Sequence, residues 1–157
     1  MASEHLGRKV KDCMTPVSTV VRSDQTIDEA ISILRKRDIY EKVLYFYVVD
    51  GDGRLKGLVS TRNLLLRKSD TMIEAITEPH VIALNGNQTV HEAMEVMETQ
   101  RLLALPVVDE HNRLMGSIDV GVYIEESVDV AHAKKRLQIF QMLGVIIEEG
   151  RPFSTLY

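Results

Sequence analysis

The chain has 157 residues, 45% apolar and 27% charged, with a formal net charge of −4; that is long enough for one compact core but short for two independent ones. A mildly acidic balance offers no electrostatic footprint for nucleic acid or anionic lipid, so no nucleic-acid partner is expected. The single cysteine, Cys13, excludes an internal disulfide and fits a reducing compartment. The opening ten residues hold no apolar stretch, and the longest apolar run, Val43 to Val49, is far short of the roughly 20 residues of a membrane helix. The sequence predicts a soluble, cytoplasmic protein.

In chain order, Ser18 to Val21 reads as a short extended segment, and Thr26-x-x-Glu29 as a capping box that opens a helix. Ile27, Ala30, Ile31 and Leu34 then recur at the spacing of one buried helical face. An apolar strand, Leu44 to Val49, a turn at Asp50-Gly-Asp-Gly53 and a second strand, Leu55 to Ser60, predict a hairpin followed by a helix from Thr61. Ser69-Asp70 reads as a link and cap for a short helix through Ile76. The pattern then repeats. Thr89-x-x-Glu92 caps a helix with Val90, Ala93, Met94 and Met97 on one face; strands follow at Leu103 to Val108 and Leu114 to Ile118, turning at Asp109 to Asn112, and a helix starts near Val120.

The correspondence extends to individual residues. Pro16, Gln25, Thr26, Glu29 and Ala30 recur 63 positions on, whereas Val48-Val49-Asp50 and Arg54-Leu55-x-Gly57 recur after 59, so the first copy holds about four extra residues around Tyr40 to Tyr45. Two copies of one supersecondary unit predict two half-domains that bury apolar faces against each other, with paired clefts at the seam. Beyond the second copy, Val130, Ala133, Leu137 and Phe140 form a helical stripe beside Lys134, Lys135 and Arg136, with Gly144 as a stop. That stripe suits a dimer or partner surface, or packing on its own domain.

No catalytic constellation is present in the sequence, and an enzyme is not expected. His91-Glu92-Ala93-Met94-Glu95 has glutamate where a zinc-binding helix needs its second histidine, and it sits within the capping box. Asp50-Gly-Asp-Gly53 begins like a calcium loop, but Arg54 follows and the closing glutamate is missing. Two stretches carry more chemistry. Gly57-Leu58-Val59-Ser60-Thr61-Arg62-Asn63 puts small polar groups at a strand-to-helix junction, which reads either as a plain helix cap or as a phosphate cradle in which Arg62 neutralises charge and Asn63 bonds a sugar hydroxyl. Glu125, Glu126 and Asp129 share a helical face, as a solvated surface or as a Mg²⁺ site.

The duplicated Thr-x-x-Glu-Ala caps, Met14-Thr15-Pro16, Gly57-x-x-Ser60-x-x-Asn63 and Leu103-x-Leu105-Pro106-Val-Val-Asp109 with Arg113-Leu114-x-Gly116 resemble a tandem pair of cystathionine-beta-synthase (CBS) domains, a Bateman module. Within that class, Leu44-Tyr45-x-Tyr47-Val-Val-Asp50, Gly53-Arg-Leu-x-Gly-Leu-Val-Ser60 and Arg62-Asn-Leu-Leu-Leu66 are similar to the cytosolic CBS region of MgtE-type magnesium transporters, as is Ile124-Glu-Glu126 leading to Met142-Leu-Gly-Val145. The resemblance implies a mixed α/β (α+β) fold with pseudo-two-fold symmetry and short three-stranded sheets packed with helices. It implies an N-terminal arm at 1–9, CBS units at 10–68 and 69–126, and a C-terminal helix and tail at 127–157. It also implies a homodimer, a membrane transporter domain attached or associated, AMP, ADP or ATP at Thr15, Pro16, Val17, Phe46, Tyr47, Ser60, Thr61, Arg62 and Asn63, and Mg²⁺ at Glu125, Glu126 and Asp129.

Three departures qualify the resemblance. The family's ribose-binding aspartate is replaced by Asn63, which retains a hydrogen bond without its charge. The second copy has Asp119 at the phosphate-facing position and Val122 at the ribose one, so its cleft is expected not to hold a nucleotide in the usual pose. The acidic run is thinned by Ser127, Val130 and Ala131. Rival expectations are a free-standing nucleotide sensor that regulates a partner and a purely structural dimerisation module.

Overall fold

The computed structural model describes residues 7–39 and 45–121. Two three-stranded sheets carry the chain, one from each copy of the repeat. Helix α1 (Val10–Cys13) precedes β1 (Val20–Arg22), α2 (Ile27–Lys36), β2 (Phe46–Val49), β3 (Leu55–Val59) and α3 (Thr61–Leu66). A 3₁₀ turn (Ile73–Ile76) then leads to β4 (Leu84–Asn85), α4 (Val90–Gln100), β5 (Ala104–Val108) and β6 (Leu114–Asp119). In each sheet the first strand pairs parallel to the middle one, and the middle strand pairs antiparallel to the third.

Both capping boxes form as the sequence predicts. The Thr26 hydroxyl accepts the Glu29 amide while the Glu29 carboxylate accepts the Thr26 amide, and Thr89 with Glu92 repeats the exchange. The apolar stripes face inward: Ile27, Ala30 and Leu34 are buried with Ile31 packed beside them, and Val90, Ala93, Met94 and Met97 are all buried. The two turns share one solution. Asp50 and Asp109 each accept two backbone amides with one carboxylate oxygen, and the third residue after each, Gly53 and Asn112, takes the left-handed conformation. The calcium-like Asp50-Gly-Asp-Gly53 is thus a hairpin turn that its own aspartate closes.

Two cores form, and the leading segments cross between them. Val10, fully buried, joins Leu84, Met97, Leu105 and Ile118 in the core of the second copy, while Ile73, also fully buried, joins Val21, Ile27, Val48 and Val59 in the first. The backbone follows the same exchange. The Val90 amide donates to the Arg8 carbonyl at 2.9 Å and the Ile27 amide to the Thr71 carbonyl at 2.9 Å, two equivalent bonds across the repeat. Each half is therefore its own helix and sheet closed by the other copy's leader. Ser69 and Asp70 do not cap the 3₁₀ turn. Its N-cap is Met72 without a side-chain bond, and the Ser69 carbonyl instead accepts the Asp28 amide.

Two glycines permit the crossing. A Cβ on Gly57 would collide with the Glu78 backbone, and one on Gly116 would lie 2.7 Å from the Thr15 carbonyl oxygen. There Leu58 and Glu78 exchange both backbone hydrogen bonds at 3.0 and 2.8 Å, and Thr15 and Ser117 do so at 2.9 Å each. The hairpin tips close the assembly: the Leu55 amide donates to the Asn112 carbonyl at 2.9 Å and the Leu114 amide to the Gly53 carbonyl at 3.0 Å.

Candidate functional site

Crossed leaders make two seams. At the first, β3 lies against the Glu78 segment and runs out into the polar stretch that sequence analysis nominates. Ser60 caps α3, its hydroxyl accepting the Asn63 amide at 3.1 Å, so the plain capping role is realised. Ser60, Thr61 and Arg62 are exposed; Asn63 is half-buried, and its side-chain oxygen accepts the Arg67 guanidinium at 3.5 Å. The cap uses the lone pairs of Ser60 and leaves its O–H proton available as a donor.

At the second seam, Thr15 lies on β6 through Ser117, and Val17 lines a cavity of about 190 Å³ with Val20, Val49, Gly53, Leu114, Met115 and Gly116. The nine nucleotide-site residues named from sequence therefore divide. Ser60 to Asn63 follow the strand whose partner is Glu78, whereas the Thr15-Pro16-Val17 leader belongs with β6 of the second copy. By the repeat spacing, the segment that accompanies Ser60 is Glu78-Pro79-His80. That segment was missed because a repeat reports likeness, not which leader crosses to which sheet.

Phe46 and Tyr47 also separate. Phe46 pairs with Val59 and packs against the first core, while Tyr47, the next residue along the strand, points to the opposite, seam side. Phe46 thus lies on the core face of β2 rather than on the face that carries Tyr47. Tyr47 is 3% exposed, and its hydroxyl has no hydrogen-bond partner among the described residues. Burial raises the Tyr47 phenol well above its ordinary pKa, and the nearby Tyr45 and Asp119 add to the shift. Tyr45 packs edge-on to Tyr47 with ring centroids 6.4 Å apart, and its hydroxyl accepts the Leu103 amide at 3.4 Å. Asp119, at the end of β6, accepts the Gly121 amide at 2.8 Å.

Between the hairpin tips lies a third depression of about 410 Å³, lined by Asp52, Arg54, His111 and Arg113. It carries both signs of charge. Arg113 bonds Asp109 at 2.9 Å, whereas Asp50 has Lys56 at 3.7 Å instead. The backbone amides of Arg54 and Arg113 are the main reason that Asp50 and Asp109, respectively, are held below the usual carboxylate range.

Among the described residues, no group of three or more His, Cys, Asp or Glu side chains is placed to hold a metal ion. Glu125, Glu126 and Asp129 lie outside the described residues, as do Val122 and the stripe from Val130 to Phe140. No helix among the described residues is long and apolar enough to cross a membrane.

Paired α/β units, each closed by the other copy's leader, define a two-domain module with pseudo-two-fold repetition. The CBS-domain family model matches residues 10–70 and 73–121, and the chain belongs to that family with two CBS domains. Each match begins at the residue, Val10 or Ile73, whose side chain is buried in the opposite core. The chain is homologous to the CBS region of MgtE. It is 32% identical over 137 residues to the magnesium transporter MgtE of Thermus thermophilus, covering 87% of this chain and 30% of that protein. It therefore spans less than a third of that relative's length. The crystal structure of the cytosolic domain of the Mg²⁺ channel MgtE in complex with ATP superposes with a TM-score of 0.69 at 32% identity, covering 79% of this chain and 50% of that one. The CBS domain-containing protein YhcV of Bacillus subtilis is 29% identical over 118 residues, covering 71% of this chain and 80% of that protein.

Proposed function

We propose that the chain is a regulatory, non-catalytic sensor acting on the cytosolic face of a magnesium-transporter-like protein, with adenine nucleotide at the first seam and Mg²⁺ at Glu125, Glu126 and Asp129. The observation that carries this reading is the likeness to MgtE over 87% of the chain, joined to a 32% identical neighbour whose solved form holds ATP. At the first seam Ser60 donates to phosphate, Arg62 neutralises it and Asn63 bonds a ribose hydroxyl, while the Glu78 leader from the other copy forms the far wall. A ligand that bridges β3 and that leader favours one angle between the halves, and it shifts the equilibrium only by its difference in affinity for the two arrangements. The chain acts as a homodimer, and the C-terminal helix carries the change to the transporter.

Titration calorimetry with ATP, ADP and AMP, with and without Mg²⁺, tests the assignment. Ser60→Ala weakens nucleotide binding, Asn63→Asp strengthens it by about fivefold through a charged hydrogen bond, and Thr15→Ala leaves it unchanged because Thr15 belongs to the other seam. Mg²⁺ at about millimolar concentration raises the melting temperature by mass action, and replacing all three acids with alanine abolishes the rise. Absence of any nucleotide or Mg²⁺ effect reduces the chain to a structural dimerisation module. The YhcV relative, 80% of which this chain covers, favours a second reading: a free-standing nucleotide sensor whose partner is a separate protein.

A further inference from the structure

The depression between the hairpin tips is lined by two repeat-related pairs. At the shift of 59, Asp52 falls on His111 and Arg54 falls on Arg113, so each copy contributes the same two positions. Arg54 and Arg113 form an antiparallel bridge, flanked by the Leu55 amide on the Asn112 carbonyl and the Leu114 amide on the Gly53 carbonyl. A pair in that register is not itself hydrogen-bonded; its Cα atoms stand about 4.5 Å apart and its side chains leave on one face. Two guanidinium groups directly opposite each other repel.

The neighbouring acids answer the two arginines unevenly. Arg113 Nε donates to Asp109 at 2.9 Å, and its terminal nitrogens make no hydrogen bond among the described residues. In the first copy Lys56, 3.7 Å from Asp50, is the ion-pair partner instead, and the repeat puts Met115 at the matching position of the second. The Arg54 side chain is left with no hydrogen bond or ion pair among the described residues, and its charge reaches Asp50 only through space. Asp52 is the acid in the lining. His111, with Glu110 3.8 Å from its Nε2, replaces a second one by a ring that donates an N–H in either protonation state. An oxyanion between the arginines turns their repulsion into charge-assisted bonds, and guanidinium forks match phosphate oxygens two at a time. The depression, about 410 Å³, is the share of roughly fourteen waters at about 30 Å³ each, room for a phosphate group with part of its hydration.

We propose that the hairpin tips form a phosphate-binding site where the two copies meet, taking free phosphate or a small phosphate monoester. Arg54 and the terminal nitrogens of Arg113 donate to the phosphate oxygens, His111 adds a donor, and Asp52 weakens the site. It uses none of Ser60 to Asn63, so it stands or falls apart from nucleotide binding at the first seam.

The test is titration of the full chain with sodium phosphate and with methyl phosphate, against sodium chloride at matched ionic strength, read by calorimetry and heteronuclear NMR. Phosphate should give saturable heat and move the amides of Arg54, Leu55, Arg113 and Leu114, and chloride should do neither. Arg54→Gln breaks no side-chain bond among the described residues and should bind about tenfold more weakly. Asp52→Asn keeps the turn, because the backbone amide of Asp52 makes the bond to Asp50, and should bind about fivefold more tightly through loss of a like charge. Ser60→Ala should leave the shifts at the tips unchanged. Methyl phosphate binding as tightly as phosphate assigns the site to monoesters, and binding of phosphate alone assigns it to the free ion. No saturable binding of either, equal binding by Arg54→Gln, or shifts confined to Ser60 to Asn63 each overturns the proposal.

Discussion

At the first seam β3 runs out into Ser60, Thr61, Arg62 and Asn63, small or cationic groups beside the Glu78 leader. At the second, β6 runs out into Asp119 with Tyr47 nearby, and Val17 and Met115 wall the cavity where the repeat puts His80 and Lys56 in the first. The backbone is nearly the same in both: a leader from the opposite copy, bonded through one residue pair, over a glycine that lets it approach. Duplication fixed the cleft and left its lining free to diverge. What a CBS seam binds is therefore a matter of a few side chains at the strand end, and a fold-level likeness assigns the cleft without assigning its ligand.

The crossing itself is the feature to break first, because both seams depend on it. Ile73→Ala removes a fully buried side chain from the first core and should cost about 2–5 kcal/mol in a urea or thermal melt. Native-state hydrogen exchange should then show α2 and β1 opening first, far from position 73 in sequence but in the same core. Val10→Ala should do the reverse, loosening α4 and β5 while leaving α2 and β1 protected. If Val10→Ala opened the first half instead, the leaders would not cross. A smaller effect separates the two glycines. Gly57→Ala meets the Glu78 backbone, whereas Gly116→Ala meets the Thr15 carbonyl and, behind it, the flexible Met14 side chain at 3.1 Å. Overpacking of this kind costs about 1–3 kcal/mol, and Gly57→Ala should be the worse of the pair; equal melting temperatures would mean the two approaches are equally tight.

Much of this was legible from periodicity and capping. Thr26, Glu29, Thr89 and Glu92 form the caps that their spacing predicts, and the stripes at Ile27, Ala30, Leu34 and Val90, Ala93, Met94, Met97 bury the expected faces, because both signals are local. The crossing was not legible, since a leader that packs on its own half and one that packs on the other leave the same repeat in the chain. The signal that bears on it is the pair Gly57 and Gly116, which recur where no turn needs them. Strand alternation already separates Phe46 from Tyr47, and grouping both in one site ignored the period of two. The Ser69-Asp70 cap failed because that stretch had to extend as a leader toward α2 rather than start a helix.

Tyr47 gives the smallest effect and the sharpest contrast between the seams, for the repeat puts Pro106, which has no hydroxyl, at the matching position. With no ligand present, Tyr47→Phe removes a buried hydroxyl that has no hydrogen-bond partner among the described residues and should stabilise the chain by about 1 kcal/mol. The gain should grow in base. Folding raises the Tyr47 pKa above its ordinary value of about 10, so the unfolded chain loses this proton at a pH where the folded chain still holds it. The contribution from that retained proton is fully present below the ordinary value and declines as pH rises through and beyond it, at up to about 1.4 kcal/mol per pH unit. Melts of the parent and Tyr47→Phe between about pH 9 and pH 11 isolate the term, because every other tyrosine is common to both. A difference that stays flat across that range would mean Tyr47 titrates as an ordinary exposed phenol, and the second seam would then be open to water rather than sealed around its hydroxyl.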